Sequence, residues 1–287
     1  MRSQSDQSLA FSRRGFLRRS FEMGITCGFP LGALWTCGCK SAPETGRKQL
    51  LLVPESQELT LGAQAFDKVS TEAQESTNTA LAEVVRRVGK RIADQSGRTD
   101  FEWEFKLFAS PEQNAFCLPG GKVAIYEGIL PVCQNEAGLA VVMSHEVAHA
   151  LARHGGERMS QNMAVDSVKQ LGSLLAKKHV AGREELLMQA YGVGSQYLVL
   201  LPYNRKQESE ADHIGVMLMS RAGYDPTEAP KFWSRFAQSK EGDQPIEFLS
   251  THPNDQRRSD DLLKLMDEAQ GHYARSVKIG LGQNLLA

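Results

Sequence analysis

Residues 137–152 read AGLAVVMSHEVAHALA, and apart from Ser144, His145, Glu146 and His149 every position is apolar or glycine. A helix that is apolar on all faces is a buried helix. Burying two imidazoles and a carboxylate is costly unless they are paired or bound to a metal. His145 and His149 stand at i and i+4, one turn apart on one helix face, so both can direct a ring nitrogen at a single ion. Glu146 lies beside that face, where its carboxylate reaches a water next to the ion rather than the ion itself. These residues and this spacing suit a Zn2+ site that hydrolyses peptide bonds. The helix is expected to begin near Glu136 and to close at Arg153-His154-Gly155-Gly156.

A catalytic zinc takes three protein ligands. A continuation with Gly at 152 and His at 155 would supply the third, but Ala152 and Gly155 stand there. His154 is about 100° off the ligand face and reads as a cation at the helix end. Farther on, Arg205 to Asp212 opens another helical stretch with Glu208 and Asp212 one turn apart. Glu208 is the expected third ligand, and Asp212 the acceptor for the N–H of a ligand histidine, His145. Ala211 and Gly215 are small enough for this helix to approach the first closely. Glu210, about 200° around from Glu208, reads as a solvated or salt-bridged charge.

With these motifs in order, the chain resembles the HtpX-like and CAAX-protease-like zinc endopeptidases of the gluzincin class. The likeness is strongest to their soluble envelope branch, typified by BepA and LoiP and related to the mitochondrial Oma peptidases. The likeness rests on Asn114 to Tyr126 (NAFCLPGGKVAIY), His145 to His149, Glu208 to Asp212, and Ser250-Thr251-His252-Pro253 with Arg258 after it. It implies an α+β, predominantly helical fold with a small β-sheet whose edge strand borders the zinc cleft. Asn114, Val123, Ala124 and Ile125 are then the substrate strand, paired to an extended peptide through the backbone; the residues alone favour an ordinary hairpin strand. The resemblance also implies a loop near the zinc. There His252 either stabilises the oxyanion or takes the open metal position as a regulatory ligand, and Arg258, with its neighbour Arg257 the competing candidate, faces the developing oxyanion. Unfolded or misassembled envelope proteins are the implied substrates.

Residues 1–38 read as a twin-arginine export signal, Ser12-Arg13-Arg14-Gly15-Phe16-Leu17-Arg18, with an apolar stretch from Ile25 to Trp35 and a lipobox-like end. Cys39 is the expected lipidated residue and Cys37 the alternative. This predicts a bacterial envelope protein facing the periplasm, with membrane contact through an N-terminal lipid anchor. Residues 39–48 are expected as a polar linker and 49–287 as a single zinc metallopeptidase domain. Cys117 and Cys133 are expected as a disulfide or as two buried thiols. With 33 basic against 34 acidic residues spread along the chain, nothing favours nucleic acid. Helices are expected at 54–69, 78–95, 157–200, 227–238 and 254–270, and the 157–200 section as a lid.

Overall fold

The computed structural model describes residues 39–172, 204–238, 248, 251–252 and 256–286. The leader, and the expected lid beyond residue 172, lie outside them. Helix α1 spans Glu55–Glu72 and α2 Thr79–Ala93. Asn78 caps α2 by accepting the Leu81 N–H, and Val84, Val85, Val88 and Ile92 form its buried stripe. Between the expected linker residues, β1 (Cys39–Ser41) and β2 (Lys48–Leu50) pair antiparallel, so this segment is a folded hairpin. From Cys39 onward the chain forms one compact unit.

Strands β3 (Glu104–Phe108), β4 (Ala115–Leu118) and β5 (Lys122–Tyr126) make a sheet in the order β3-β5-β4. β5 is parallel to β3 and antiparallel to β4. Pro119 and Gly120 occupy the centre of the β4–β5 turn, closed by Gly121 N donating to Leu118 O at 3.3 Å. Gly120 has φ +88°, the left-handed value that the third residue of a type II turn requires. This order corrects the expectation for Val123, Ala124 and Ile125. Both edges of their strand are already taken by ladders, so no backbone groups remain to receive a peptide. The edge strands are β3 and β4. The Tyr126 N–H bonds to Asn114 O at 3.2 Å, which turns Asn114, Phe116 and Leu118 toward β5. By alternation, Ala115 and Cys117 turn their backbone groups to the outer edge, where no strand pairs with β4 among the described residues.

Helix α3, Glu136–Leu151, carries the two histidines and is buried from Glu136 to Ala150. A buried helix start must satisfy its orphan N–H groups. Asn135 caps Gly138 N at 2.9 Å, while the C-terminal tail accepts from Glu136 N through Gln283 O at 2.9 Å and from Ala137 N through Leu281 O at 3.0 Å. The helix ends at Ala152. Arg153 takes φ +53°, and α4 (His154–Gly172) begins at once, so Gly155 and Gly156 lie in a new helix rather than terminating the old one. Helix α5, Arg205–Arg221, starts in a capping box between Asn204 and Gln207. It crosses α3 closely, with Gly215 against the backbone of Ser144 and His145. Helices α6 (Glu228–Gln238), α7 (Gln256–Lys264) and α8 (Met266–Arg275) complete the described chain. Among the described residues no helix is long and apolar enough to cross a membrane. Cys117 and Cys133 are separate buried thiols.

Candidate metal centre

Helix α3 supplies His145 and His149, α5 supplies Glu208, and the segment before α7 supplies His252. All four are buried, and one ligand atom from each lies within 4.8 Å of the others. The His149 and His145 Nε2 atoms are 3.1 Å apart, and His145 Nε2 is 3.3 Å from His252 Nδ1. Glu208 places Oε1 3.4 Å from His149 Nε2 and 3.2 Å from His252 Nδ1, and Oε2 3.4 Å from His145 Nε2. Tetrahedral zinc with bonds of about 2.0–2.1 Å has ligand-to-ligand edges of about 3.3 Å. These spacings match such edges, and three imidazoles with one carboxylate suit zinc. The residues therefore fit the metal, and His252 stands where a fourth ligand would.

His145 Nδ1 lies 3.0 Å from Asp212 Oδ1, and Nε2 is turned to the other donors. Burial alone would lower the His145 pKa, but Asp212 and Glu208 hold it up at about 9. Arg258 requires a correction. Its Nε and Nη2 donate to Asp212 at 2.7 and 2.8 Å, its Nη1 lies 2.8 Å from Glu208 Oε2, and its guanidinium sits over Trp233 at 3.8 Å. A cation committed to two carboxylates orients them rather than facing an oxyanion. Burial would raise both carboxylates, yet the neighbouring His252 and Arg258 hold Glu208 well below its ordinary range, and Arg258 holds Asp212 below its own.

Glu146 is buried, and its Oε1 makes no hydrogen bond among the described residues; His252 Nε2 is 3.4 Å away. Burial pushes the Glu146 carboxyl up to about 8, against the pull of the His145 charge. His252 thus faces the donor set with Nδ1 and Glu146 with Nε2, while Phe248 stacks on its ring at 4.3 Å. Burial pushes His252 down to about 4. Asn114 is buried and accepts the Ala115 N–H at 2.9 Å, and the Phe248 N–H bonds to Gln113 O at 3.2 Å, so the segment that carries His252, helical at Phe248 and Thr251 rather than the loop expected, touches the start of β4.

One residue plays a part that sequence reasoning missed. His154 is not the helix-end cation expected: it is fully buried, and burial lowers its pKa. It bridges His149 to Glu210, which is buried and salt-bridged to Arg47, the second of the two readings its position allowed. No spacing rule joins these positions, because the contact crosses between helices.

Residues 79–266 match the family described as Peptidase family M48. The mitochondrial metalloendopeptidase OMA1 of Schizosaccharomyces pombe is 42% identical over 188 residues, 65% of this chain and 53% of that protein. The protein of the same name from Saccharomyces cerevisiae is 31% identical over 260 residues, 84% of this chain and 73% of its own length. The beta-barrel assembly-enhancing protease of Escherichia coli O157:H7 is 27% identical over 217 residues, 74% of this chain and 44% of that protein. This chain thus spans about half the length of the first and less than half of the last. With its metal-binding motifs inside the matched segment and its likeness to the yeast protein running over most of its length, the chain belongs to peptidase family M48.

Proposed function

We propose that this protein is a zinc endopeptidase in which Glu146 serves as general base and acid. The observation that carries the reading is the convergence of His145, His149, Glu208 and His252 at tetrahedral spacing with a buried, unbonded carboxylate oxygen beside them. Bound there, zinc supplies Lewis acidity, polarising the scissile carbonyl and acidifying water. Glu146 takes a proton on Oε1 and returns it to the leaving amine, its buried position beside the donor set placing the carboxylate for both transfers. Asp212 fixes the His145 tautomer, and Arg258 holds Asp212 and Glu208 in place.

His252 acts as a gate. Its Nδ1 completes the donor set and its Nε2 covers Glu146, so hydrolysis requires the segment to withdraw. A peptide adding to the outer edge of β4 pairs with the Cys117 backbone and the Ala115 carbonyl, the Ala115 N–H being held by Asn114 Oδ1. It approaches Gln113 O, which the Phe248 N–H already holds, so substrate entry and withdrawal of the segment are linked. The closed arrangement also favours a second reading, a zinc-containing chaperone or assembly factor that cleaves rarely.

The substrates are misfolded or misassembled envelope proteins, and the protein is periplasm-facing and anchored through a lipid on Cys39. The twin-arginine pattern, the lipobox-like end and the likeness to the Escherichia coli protease support this placement. The finer kinship is with the LoiP-like branch, on the motifs quoted above. Comparing zinc content and casein cleavage in wild type and Glu146→Gln tests the central step. The variant is expected to keep zinc and lose cleavage; equal cleavage refutes the role of Glu146, and no cleavage by the wild type favours the chaperone reading.

A further inference from the structure

We propose that His154, Glu210 and Arg47 form a positioning relay for the His149 imidazole, and that through Arg47 the N-terminal hairpin is a working part of the metal centre. The inference rests on the zinc reading. His149 turns Nε2 to the other donors, and its Nδ1 lies 2.8 Å from His154 Nδ1. A ligand imidazole engaged through Nε2 carries its proton on Nδ1 and needs an acceptor there. His154 must then present an unprotonated Nδ1 and keep its own proton on Nε2. That atom is 2.9 Å from Glu210 Oε2, a carboxylate that accepts it. One tautomer therefore satisfies the whole chain. The two histidines of α3 are each backed by a carboxylate of α5, His145 directly by Asp212 and His149 through an interposed imidazole by Glu210.

Glu210 needs a counter-charge in its turn, and it comes from far away in sequence. Arg47 Nε donates to Glu210 Oε2 at 2.7 Å, while its Nη1 and Nη2 grip Glu157 at 2.8 Å each. Thr45 donates its hydroxyl to Glu210 Oε1. Gln49 donates to Ala152 O, at the end of α3, at 2.6 Å, and Gln207 donates to Glu157 at 2.9 Å. The hairpin has three-residue strands and little apolar surface of its own, so this polar network is a main part of what seats it. Lifting the hairpin would remove the cation that orients Glu210, and with it the hold on His154.

The test is zinc affinity, measured by competition with a chromogenic chelator, together with the visible spectrum of the cobalt-substituted protein. Glu210→Gln and His154→Phe are each expected to weaken zinc about 10- to 100-fold. His154→Gln, which keeps one acceptor and one donor, should restore much of that loss. Arg47→Gln should weaken zinc in the same direction, and combining it with Glu210→Gln should add almost nothing, because the two act in one chain. The cobalt spectrum should shift in His154→Phe and lie nearer wild type in His154→Gln. Wild-type affinity in a folded Glu210→Gln variant overturns the relay, as do additive effects of Arg47→Gln and Glu210→Gln. A wild type that binds no zinc overturns instead the zinc reading beneath it.

Discussion

Gly215→Ala tests how the metal centre is assembled, because the close crossing of α5 over α3 is what lets a short carboxylate reach the histidines. A Cβ at Gly215 would stand 3.1 Å from His145 N and 3.2 Å from both His145 Cα and Ser144 C, where ordinary contacts are 3.4–4 Å. The atoms it meets are backbone within a fully buried helix, so the crossing must widen by about 0.3 Å or more. Glu208 lies two turns along the same helix, about 10 Å away. A shift of this size exceeds the roughly 0.2 Å tolerance of metal–ligand distances. Overpacking costs about 1–3 kcal/mol, against about 1 kcal/mol gained from helix propensity, leaving the metal-free protein destabilised by roughly 0–2 kcal/mol. Zinc pulls the helices back and restores strain that the metal-free form has relieved. Affinity should therefore fall by about 1 kcal/mol, roughly fivefold. Gly271→Ala is the control: its Cβ would meet only Arg275 Nη1 at 3.6 Å, so it should stabilise by up to about 1 kcal/mol and leave zinc binding unchanged. Urea unfolding of both variants in chelator, with zinc competition titrations, measures these quantities. If Gly215→Ala matches Gly271→Ala in both, close approach is not what places Glu208.

His252→Ala should keep zinc on three ligands and cleave casein faster than wild type, whereas slower cleavage would return His252 to oxyanion stabilisation. Arg258→Gln leaves Glu208 and Asp212 buried without their cation, a loss of about 3–5 kcal/mol in the metal-free protein; unfolding with and without chelator should show a smaller loss when zinc is bound. Burial raises the Glu157 pKa, but Arg47 and Gln207 outweigh it and hold the folded value below 4.5. Its stabilisation is therefore complete above pH 4.5 and lost as pH falls below that value, so melting temperatures between pH 6 and 3 should fall less steeply in Glu157→Gln than in wild type.

The sequence showed most plainly what local periodicity encodes. The apolar run around His145 to His149 announced a buried helix, and i, i+4 spacing put Glu208 and Asp212 on one face. The strand containing Val123 was legible as a strand but not as the centre of its sheet, because order depends on β3 arriving in parallel from the other side. Arg258 was singled out, yet its partners lie on α5, so its commitment to Asp212 and Glu208 had no signature in the local sequence. The hairpin of residues 39–50 looked like a linker because its strands are short and polar. What folds it is Arg47 meeting Glu157 and Glu210 across a long stretch of chain.

Zinc K-edge X-ray absorption on the metal-loaded wild type tests the central claim most directly. Three imidazoles and one carboxylate oxygen at about 2.0–2.1 Å are predicted, with one imidazole lost in His252→Ala. Two imidazoles in the wild type, unchanged by that substitution, would contradict the closed four-ligand centre.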